Sequence, residues 1–153
     1  MIAKYIISGA IMLCAATASQ GAPCDTGRRM SAQQITQNVT GKYTCVGASP
    51  NATWNELLSK GSSGTVTDYK LGPSDPRDPS KQVGTFTVGG QNDNTSGGIL
   101  TYLYTGDGTT YPYMIDTGTA NGTLGASPYV FCQLSGGNPN GINFTVNVQA
   151  GPC

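Results

Sequence analysis

The strongest constraint on the fold is a two-residue alternation of apolar and polar side chains, which recurs in short segments along the chain. The segment 141–149 shows this alternation most clearly. One face of the segment carries Ile142, Phe144, Val146 and Val148, and the other carries Asn143, Thr145 and Asn147. Because successive side chains of a β-strand point to opposite faces, the segment predicts a strand with one buried side and one solvent-facing side.

Segments of this kind are separated by clusters of glycine, proline, asparagine and aspartate. The predicted strands span 42–47, 65–71, 83–89, 98–105, 109–116, 128–134 and 141–149. Such short connections favour an all-β antiparallel meander of about seven strands, which forms either a small closed barrel or a two-layer sandwich. We favour the barrel, because closure removes the sheet edges that an exported monomer otherwise has to protect. The stretch 72–80 holds three prolines and predicts a stiff surface loop.

One short N-terminal helix is predicted ahead of the strands, over residues 31–39. Ser31 is a suitable N-cap, and the alanine and two glutamines that follow it favour helix. Gly41 predicts the end of the helix.

The first residues predict a secretion signal. A single positive charge at Lys4 precedes the uncharged, largely apolar run 5–16, which is too short to span a bilayer of about 30 Å as a helix. The Ala-Thr-Ala sequence at 16–18 predicts cleavage after residue 18. A lipoprotein signal centred on Cys14 is the alternative, but bulky residues precede this cysteine where small ones are required.

Removal of residues 1–18 leaves one predicted domain, 19–153, with four cysteines. They are Cys24, Cys45, Cys132 and Cys153. An even number in a small exported domain predicts two disulfides, and the sequence leaves all three connectivities open. Zinc is disfavoured, because the chain contains no histidine and no C-x-x-C pair. We therefore expect a secreted, periplasmic or cell-surface protein that needs no metal and no cofactor.

Charge excludes two classes of partner. The chain has 8 Lys and Arg against 8 Asp and Glu, and only 10% of its residues are charged. It therefore lacks the basic surface that nucleic acid or anionic lipid requires. We expect no nucleic-acid partner and no stable membrane insertion.

The absence of histidine also excludes Ser-His-Asp and Cys-His catalysis. Hydrolysis by paired carboxylates remains possible, with Glu56, the only glutamate, and Asp68 as candidates. Glu56 lies close to Trp54, and burial there would raise its pKa as a general acid requires. The favoured interpretation is a solvated carboxylate in a loop beside a core tryptophan.

Four tyrosines lie two residues apart on two segments that a turn at 106–108 joins into a predicted hairpin. They are Tyr102, Tyr104, Tyr111 and Tyr113. If exposed, their rings would form a flat platform for sugars, bases or a partner protein. Leu100 and Ile115 share the parity of the tyrosines, which favours an inward orientation and a core role. Trp54 is likewise interpreted as a core residue or a barrel plug.

Aspartates in predicted loops could supply oxygen ligands for calcium. They are Asp75, Asp78, Asp93 and Asp107. Their spacing matches no calcium-binding loop, and Asp-Pro and Asp-Gly pairs are favoured in turns for backbone reasons. We interpret them as turn residues.

Several short motifs resemble a loose group of small exported bacterial proteins of unknown function. After the short helix, the motifs are GKYTC at 41–45, WNE at 54–56, DYKLGP at 68–73, VGTF at 83–86, the two tyrosine pairs, and YVFC at 129–132. Members often carry a histidine just after the Trp-x-Glu element, where this chain has Leu57 and Leu58. The resemblance implies an exported bacterial β protein and no particular activity. The tripeptide at 41–43 is similar to the Gly-x-Trp start of lipocalin-type barrels.

Three classes of function are compatible with these features. The first is an exported non-catalytic binding or inhibitor-type β module that recognises a protein or a glycan. Its candidate binding residues are Trp54, Glu56, Tyr102, Tyr104, Tyr111 and Tyr113. The second is a structural subunit of a surface layer or extracellular fibre, which the low charge density favours through self-association. The third is a carboxylate-dependent hydrolase.

Overall fold

The computed structural model describes residues 24–47, 52, 54–69, 81–90, 97–119 and 124–153. The predicted secretion signal and the proline-containing stretch 72–80 lie outside these residues.

Eight antiparallel strands form one closed barrel. They are β1 Tyr43–Val46, β2 Trp54–Leu58, β3 Ser63–Asp68, β4 Lys81–Gly90, β5 Gly98–Tyr104, β6 Thr110–Asp116, β7 Tyr129–Ser135 and β8 Asn138–Gln149. Each strand pairs with its neighbours along the chain, and β8 returns to pair with β1. The predicted all-β meander and the preference for a small barrel are confirmed, and the sandwich alternative is wrong.

One strand, β2, is absent from the seven predicted from the sequence. Its side chains do alternate, with Trp54, Glu56 and Leu58 on the inner face. A glutamate at the centre of that inner face conceals the apolar pattern that identified the other strands. The strand is fixed by pairing, because Asn55 lies opposite Cys45 in β1.

The helix α1, Ala32–Asn38, confirms the predicted short N-terminal helix. Ser31 caps it in a capping box, in which the Ser31 hydroxyl accepts from the Gln34 backbone N–H and the Gln34 side chain accepts from the Ser31 N–H. Its inner face, including Ile35 and the following Val39, is fully buried in the barrel core. The helix therefore covers one end of the barrel. The described part of the chain contains no helix that is long and apolar enough to cross a membrane.

Gly98, the first residue of β5, allows the helix to pack this closely. A β-carbon at Gly98 would lie 2.6 Å from the backbone nitrogen of Ala32 and 2.7 Å from Cδ1 of Ile35. The Gly98 N–H also donates to the carbonyl of Met30 at 2.7 Å. Only glycine lets the start of β5 approach the helix at this distance.

A partly buried ion pair anchors the segment before the helix. Asp116, 1% exposed at the end of β6, accepts from Nη2 of Arg28 at 2.9 Å. It also accepts from the backbone N–H of Asp25 at 3.0 Å and of Gly118 at 2.7 Å. These bonds satisfy a carboxylate that would otherwise be costly to bury.

The barrel interior is one continuous cluster of buried side chains. Its members are Met30, Ile35, Val39, Leu58, Val66, Phe86, Leu100, Tyr102, Tyr113, Ile115, Tyr129, Phe131 and Val146. The predicted inner face of the last strand is confirmed for Val146, but Ile142 is 50% exposed. The reason is that β8 extends past the end of β1, which pairs with it only from Asn147 onward.

Two disulfides form, Cys24–Cys132 and Cys45–Cys153. The first ties the N-terminal segment to the outer face of β7, where Met114 and Leu134 are buried with it. The second ties the chain end after β8 to β1. This resolves the connectivity that the sequence left open, and two disulfides are consistent with an extracellular or periplasmic protein.

We expect Gly98→Ala to lower the free energy of unfolding by about 1–3 kcal/mol, because the new methyl group overlaps the helix backbone. Urea unfolding of the oxidised protein measures the effect. Gly106→Ala is the matched control, since a β-carbon at Gly106 meets no atom within 4 Å. Equal losses in the two variants would contradict the proposed close packing of helix and barrel.

Candidate site at the open end of the barrel

A cavity of about 330 Å³ lies at the barrel end opposite the helix. Its position follows from the strands, because Val46 ends β1, Trp54 begins β2 and Tyr104 ends β5. Its described lining residues are Val46, Trp54, Glu56, Asp68, Tyr104, Tyr111, Tyr113 and Phe144. Five of these eight residues are aromatic, so the cavity is mainly a chamber of ring faces and edges.

Trp54 is surrounded by other rings. Its ring centroid lies 5.5 Å from that of Phe144 at an interplanar angle of 83°, and 5.8 Å from that of Tyr102 at 66°. Edge-to-face packing of this kind is favourable for aromatic quadrupoles. The half-buried tryptophan therefore has a fixed position at the barrel opening, in agreement with its interpretation as a core residue or plug.

Glu56 is buried, which corrects the favoured interpretation of a solvated loop carboxylate. It lies at the centre of β2 and is only 6% exposed. The indole Nε1 of Trp54 donates to its Oε2, and the hydroxyl of Tyr104 donates to its Oε1 at 2.8 Å. Alternation places Glu56 inside because Trp54, two residues before it, also points inward.

Burial raises the pKa of Glu56 from 4.5 to about 7. Loss of hydration is the main cause, since it disfavours the charged form. The hydrogen bonds from Tyr104 and Trp54 act in the opposite direction, and the nearby carboxylate of Asp68 raises the pKa further. Glu56 is consequently divided between its charged and neutral forms near neutral pH.

Asp68 lies directly opposite Glu56 in the pairing of β2 with β3. Both side chains line the cavity. Directly paired residues on one face of a sheet have β-carbons about 5 Å apart. The two carboxyl groups named as candidates from the sequence are therefore brought together, which their separation of 12 positions in the chain did not reveal.

The four predicted tyrosines all point into the barrel, so the flat exposed platform is wrong. Tyr102 and Tyr113 are buried, whereas Tyr104 and Tyr111 are half-buried at the open end. The Tyr102 and Tyr104 rings stack at 5.8 Å and 8°, and Tyr111 meets Tyr104 at 68°. Burial raises the pKa of Tyr113 to about 12 and places the pKa of Tyr102 well above its usual value. These hydroxyls remain neutral at physiological pH.

Five of the six candidate binding residues line the cavity, and Tyr102 packs behind them against Trp54 and Tyr104. Sequence analysis missed Val46 and Phe144 as lining residues. The alternation of β8 did predict that Phe144 points inward. It did not reveal that Phe144 lies next to Trp54, because that contact requires β8 to return to β1.

Asp107 serves the turn between β5 and β6, as the sequence suggested. Its carboxylate accepts from the backbone N–H of Thr109 at 2.9 Å and from the hydroxyl of Tyr111 at 3.0 Å. Asp75, Asp78 and Asp93 lie outside the described residues. Within the described ranges, no three acidic or cysteine side chains are grouped as a metal site would require.

Comparison with known proteins assigns no family, since no protein-family model, curated protein or solved structure matches the chain. The resemblance to small exported bacterial proteins stays a prediction. Function must therefore be inferred from the cavity itself.

We expect the fluorescence of Trp54, the only tryptophan, to titrate with a midpoint near pH 7, because its indole donates to Glu56. Glu56→Gln should abolish the transition. A transition that persists unchanged in this variant would show that another group is titrating.

The free energy of unfolding should also depend on the protonation state of Glu56. The pKa of Glu56 is higher in the folded protein than in the unfolded chain, so protonation of Glu56 stabilises the folded protein. This stabilisation is complete below about pH 4.5 and is lost as pH rises through about 7. Relative to Glu56→Gln, the wild-type free energy of unfolding should fall by up to about 3 kcal/mol over that interval. Parallel urea unfolding curves at several pH values measure this difference, and a constant difference would contradict the assignment.

Proposed function

We propose that this protein is an exported, non-catalytic binding module, and that its ligand enters the open end of the barrel. The ligand is a small organic molecule or the end of a longer one, such as a terminal sugar of a glycan. One observation carries the proposal: the cavity is lined by aromatic rings and contains a buried carboxylate at hydrogen-bonding distance from Tyr104.

The shape of the cavity supports a ligand that enters it. Its volume of about 330 Å³ lies at the lower end of the range of small-molecule sites. Such sites typically combine apolar and aromatic walls with a few fixed polar groups, as this cavity does with Glu56 and Asp68. Ring packing around Trp54 fixes the walls before any ligand arrives, which lowers the entropic cost of binding.

Export is part of the proposal and is supported by the two disulfides together with the predicted leader 1–18. The alternative of a fibre or surface-layer subunit receives less support. Lateral assembly of sheets uses unpaired strand edges. Each of the eight strands here has a strand partner on both sides, although the part of β8 before Asn147 extends past β1 without pairing to it.

Binding should depend on the ring of Tyr111, which lies half-buried at the cavity entrance. A screen of glycans and small organic molecules, followed by Trp54 fluorescence, would identify a ligand. We expect Tyr111→Ala to weaken its binding by about tenfold or more, since a stacked ring contributes about 1–2 kcal/mol.

Tyr43→Ala is the matched control. Tyr43 packs with Tyr69 and with the cluster around Cys45 and Cys153, and it does not belong to the described cavity lining. A ligand that binds the two variants equally would exclude the cavity as its site.

A second candidate function is hydrolysis by paired carboxylates. It is favoured by the direct opposition of Glu56 and Asp68 and by the pKa of about 7 of Glu56. A raised pKa suits a general acid, and a second carboxyl group on the directly paired residue of the neighbouring strand can act as nucleophile. Here Glu56 would protonate the leaving oxygen, and Asp68 would attack the sugar carbon.

If the protein hydrolyses glycosides, Glu56→Gln and Asp68→Asn should each lower kcat by at least about a hundredfold. Aryl glycosides and polysaccharides are the assay substrates. Activity that survives both substitutions would belong to another group or to a contaminant.

A further inference from the structure

We propose that the cavity recognises an organic cation, specifically a quaternary or alkylated ammonium group. This inference rests on the proposed binding function and specifies its ligand. It follows from three features of the cavity, namely its aromatic rings, its buried carboxylate and the engagement of most of its described hydrogen-bond donors within the protein.

The aromatic rings that line the cavity are inclined steeply to one another. Trp54 and Phe144 are inclined at 83°, Tyr104 and Tyr111 at 68°, and Tyr113 and Phe144 at 66°. An arrangement of this kind presents rings to a guest from several directions. The face of an aromatic ring carries negative electrostatic potential and attracts a cation, most strongly for tryptophan. Such a chamber therefore suits a compact positive group better than a flat ligand.

Glu56 supplies the opposite charge at the inner wall. Its two described hydrogen bonds come from the neutral donors Trp54 and Tyr104, so neither neutralises its negative charge. Both donors also hold the carboxylate in one orientation. Near pH 7 this buried group is poised to lose its proton when a positive charge arrives beside it.

Three of the four hydrogen-bond donors among the described lining side chains are engaged within the protein, which leaves the Tyr113 hydroxyl for a neutral sugar or an anion. The indole N–H of Trp54 and the hydroxyl proton of Tyr104 are directed to Glu56, and the hydroxyl proton of Tyr111 is directed to Asp107. A quaternary ammonium group requires no donor, and an alkylated ammonium group brings its own. An anion would face the buried carboxyl group of Glu56.

Other charged and titratable groups near Glu56 are Asp68 on β3, Tyr102 and Tyr104 on β5, and Tyr113 on β6. Burial keeps the three tyrosines neutral across the physiological range. Lys81 on β4 lies opposite Asp68 in the register and is exposed. Glu56 is thus a described group of the cavity whose charge changes near neutral pH.

Cation binding should consequently be linked to proton release. A bound ammonium group stabilises ionised Glu56, so its affinity rises with pH through about 7 and falls by up to about tenfold per pH unit below that value. A neutral ligand that accepts a hydrogen bond from protonated Glu56 would show the opposite trend.

The test compares choline with 3,3-dimethylbutan-1-ol, in which an uncharged carbon replaces the quaternary nitrogen. Trp54 fluorescence and calorimetry on the full oxidised protein report binding between about pH 5.5 and about pH 8.5. We expect choline to bind at least about tenfold more tightly than the alcohol at the higher pH. We also expect its affinity to fall by at least about tenfold at the lower pH.

Two variants distinguish the contribution of the Glu56 charge to choline binding from that of the aromatic rings. Glu56→Gln retains the side-chain shape, and it should weaken choline binding by at least about tenfold and remove its pH dependence, while the alcohol is unaffected. Tyr111→Leu retains apolar volume at the entrance and should weaken choline binding more than alcohol binding. This second variant leaves Glu56 in place, so the test does not depend on the folding of the first.

Equal affinities for choline and the alcohol, or an affinity for choline that does not rise with pH, would overturn the cation proposal. If neither probe binds, the cation proposal also fails. In that case the proposed binding function is supported if another molecule from the glycan and small-molecule screen changes Trp54 fluorescence and Tyr111→Ala weakens the binding of that molecule. It is overturned if no molecule from the screen binds in this way.

Discussion

Closure of the sheet between its first and last strands is the constraint on which the molecule depends. The seam is short, because β1 has four residues and three of them pair with β8. The Cys45–Cys153 disulfide adds a covalent link beside it. Trp54 on β2 and Phe144 on β8 pack against one another across this seam. The cavity between their rings therefore exists only while the barrel is closed.

The buried glutamate illustrates how stability and a functional site can compete. A carboxylate among aromatic rings loses its hydration, and the bonds from Trp54 and Tyr104 offset only part of that loss, as the pKa of about 7 indicates. A leucine at the same inner position of β2 would fit the apolar pattern without this cost. A charged residue at a position where the strand pattern favours an apolar one is typical of binding and catalytic sites.

Alternation and turn residues were sufficient to predict the all-β barrel, the short helix and the inward tyrosines, because these features depend on neighbours in the chain. The strand β2 was missed because Glu56 interrupts its apolar face. Burial of Glu56 could not be predicted, since its partner Tyr104 lies 48 residues away. The pairing of Cys24 with Cys132 likewise depends on the N-terminal segment crossing the outer face of β7.

The helix covers one end of the barrel, and the cavity lies at the other end. Ile35 and Val39 fill the interior from the helix side, and Gly98 lets the helix lie directly against the strand ends. A ligand bound in the cavity as proposed would be separated from the helix end by these buried core residues. Its release would then depend on the half-buried ring of Tyr111, a position that can vary without altering the hydrophobic core beneath the cavity.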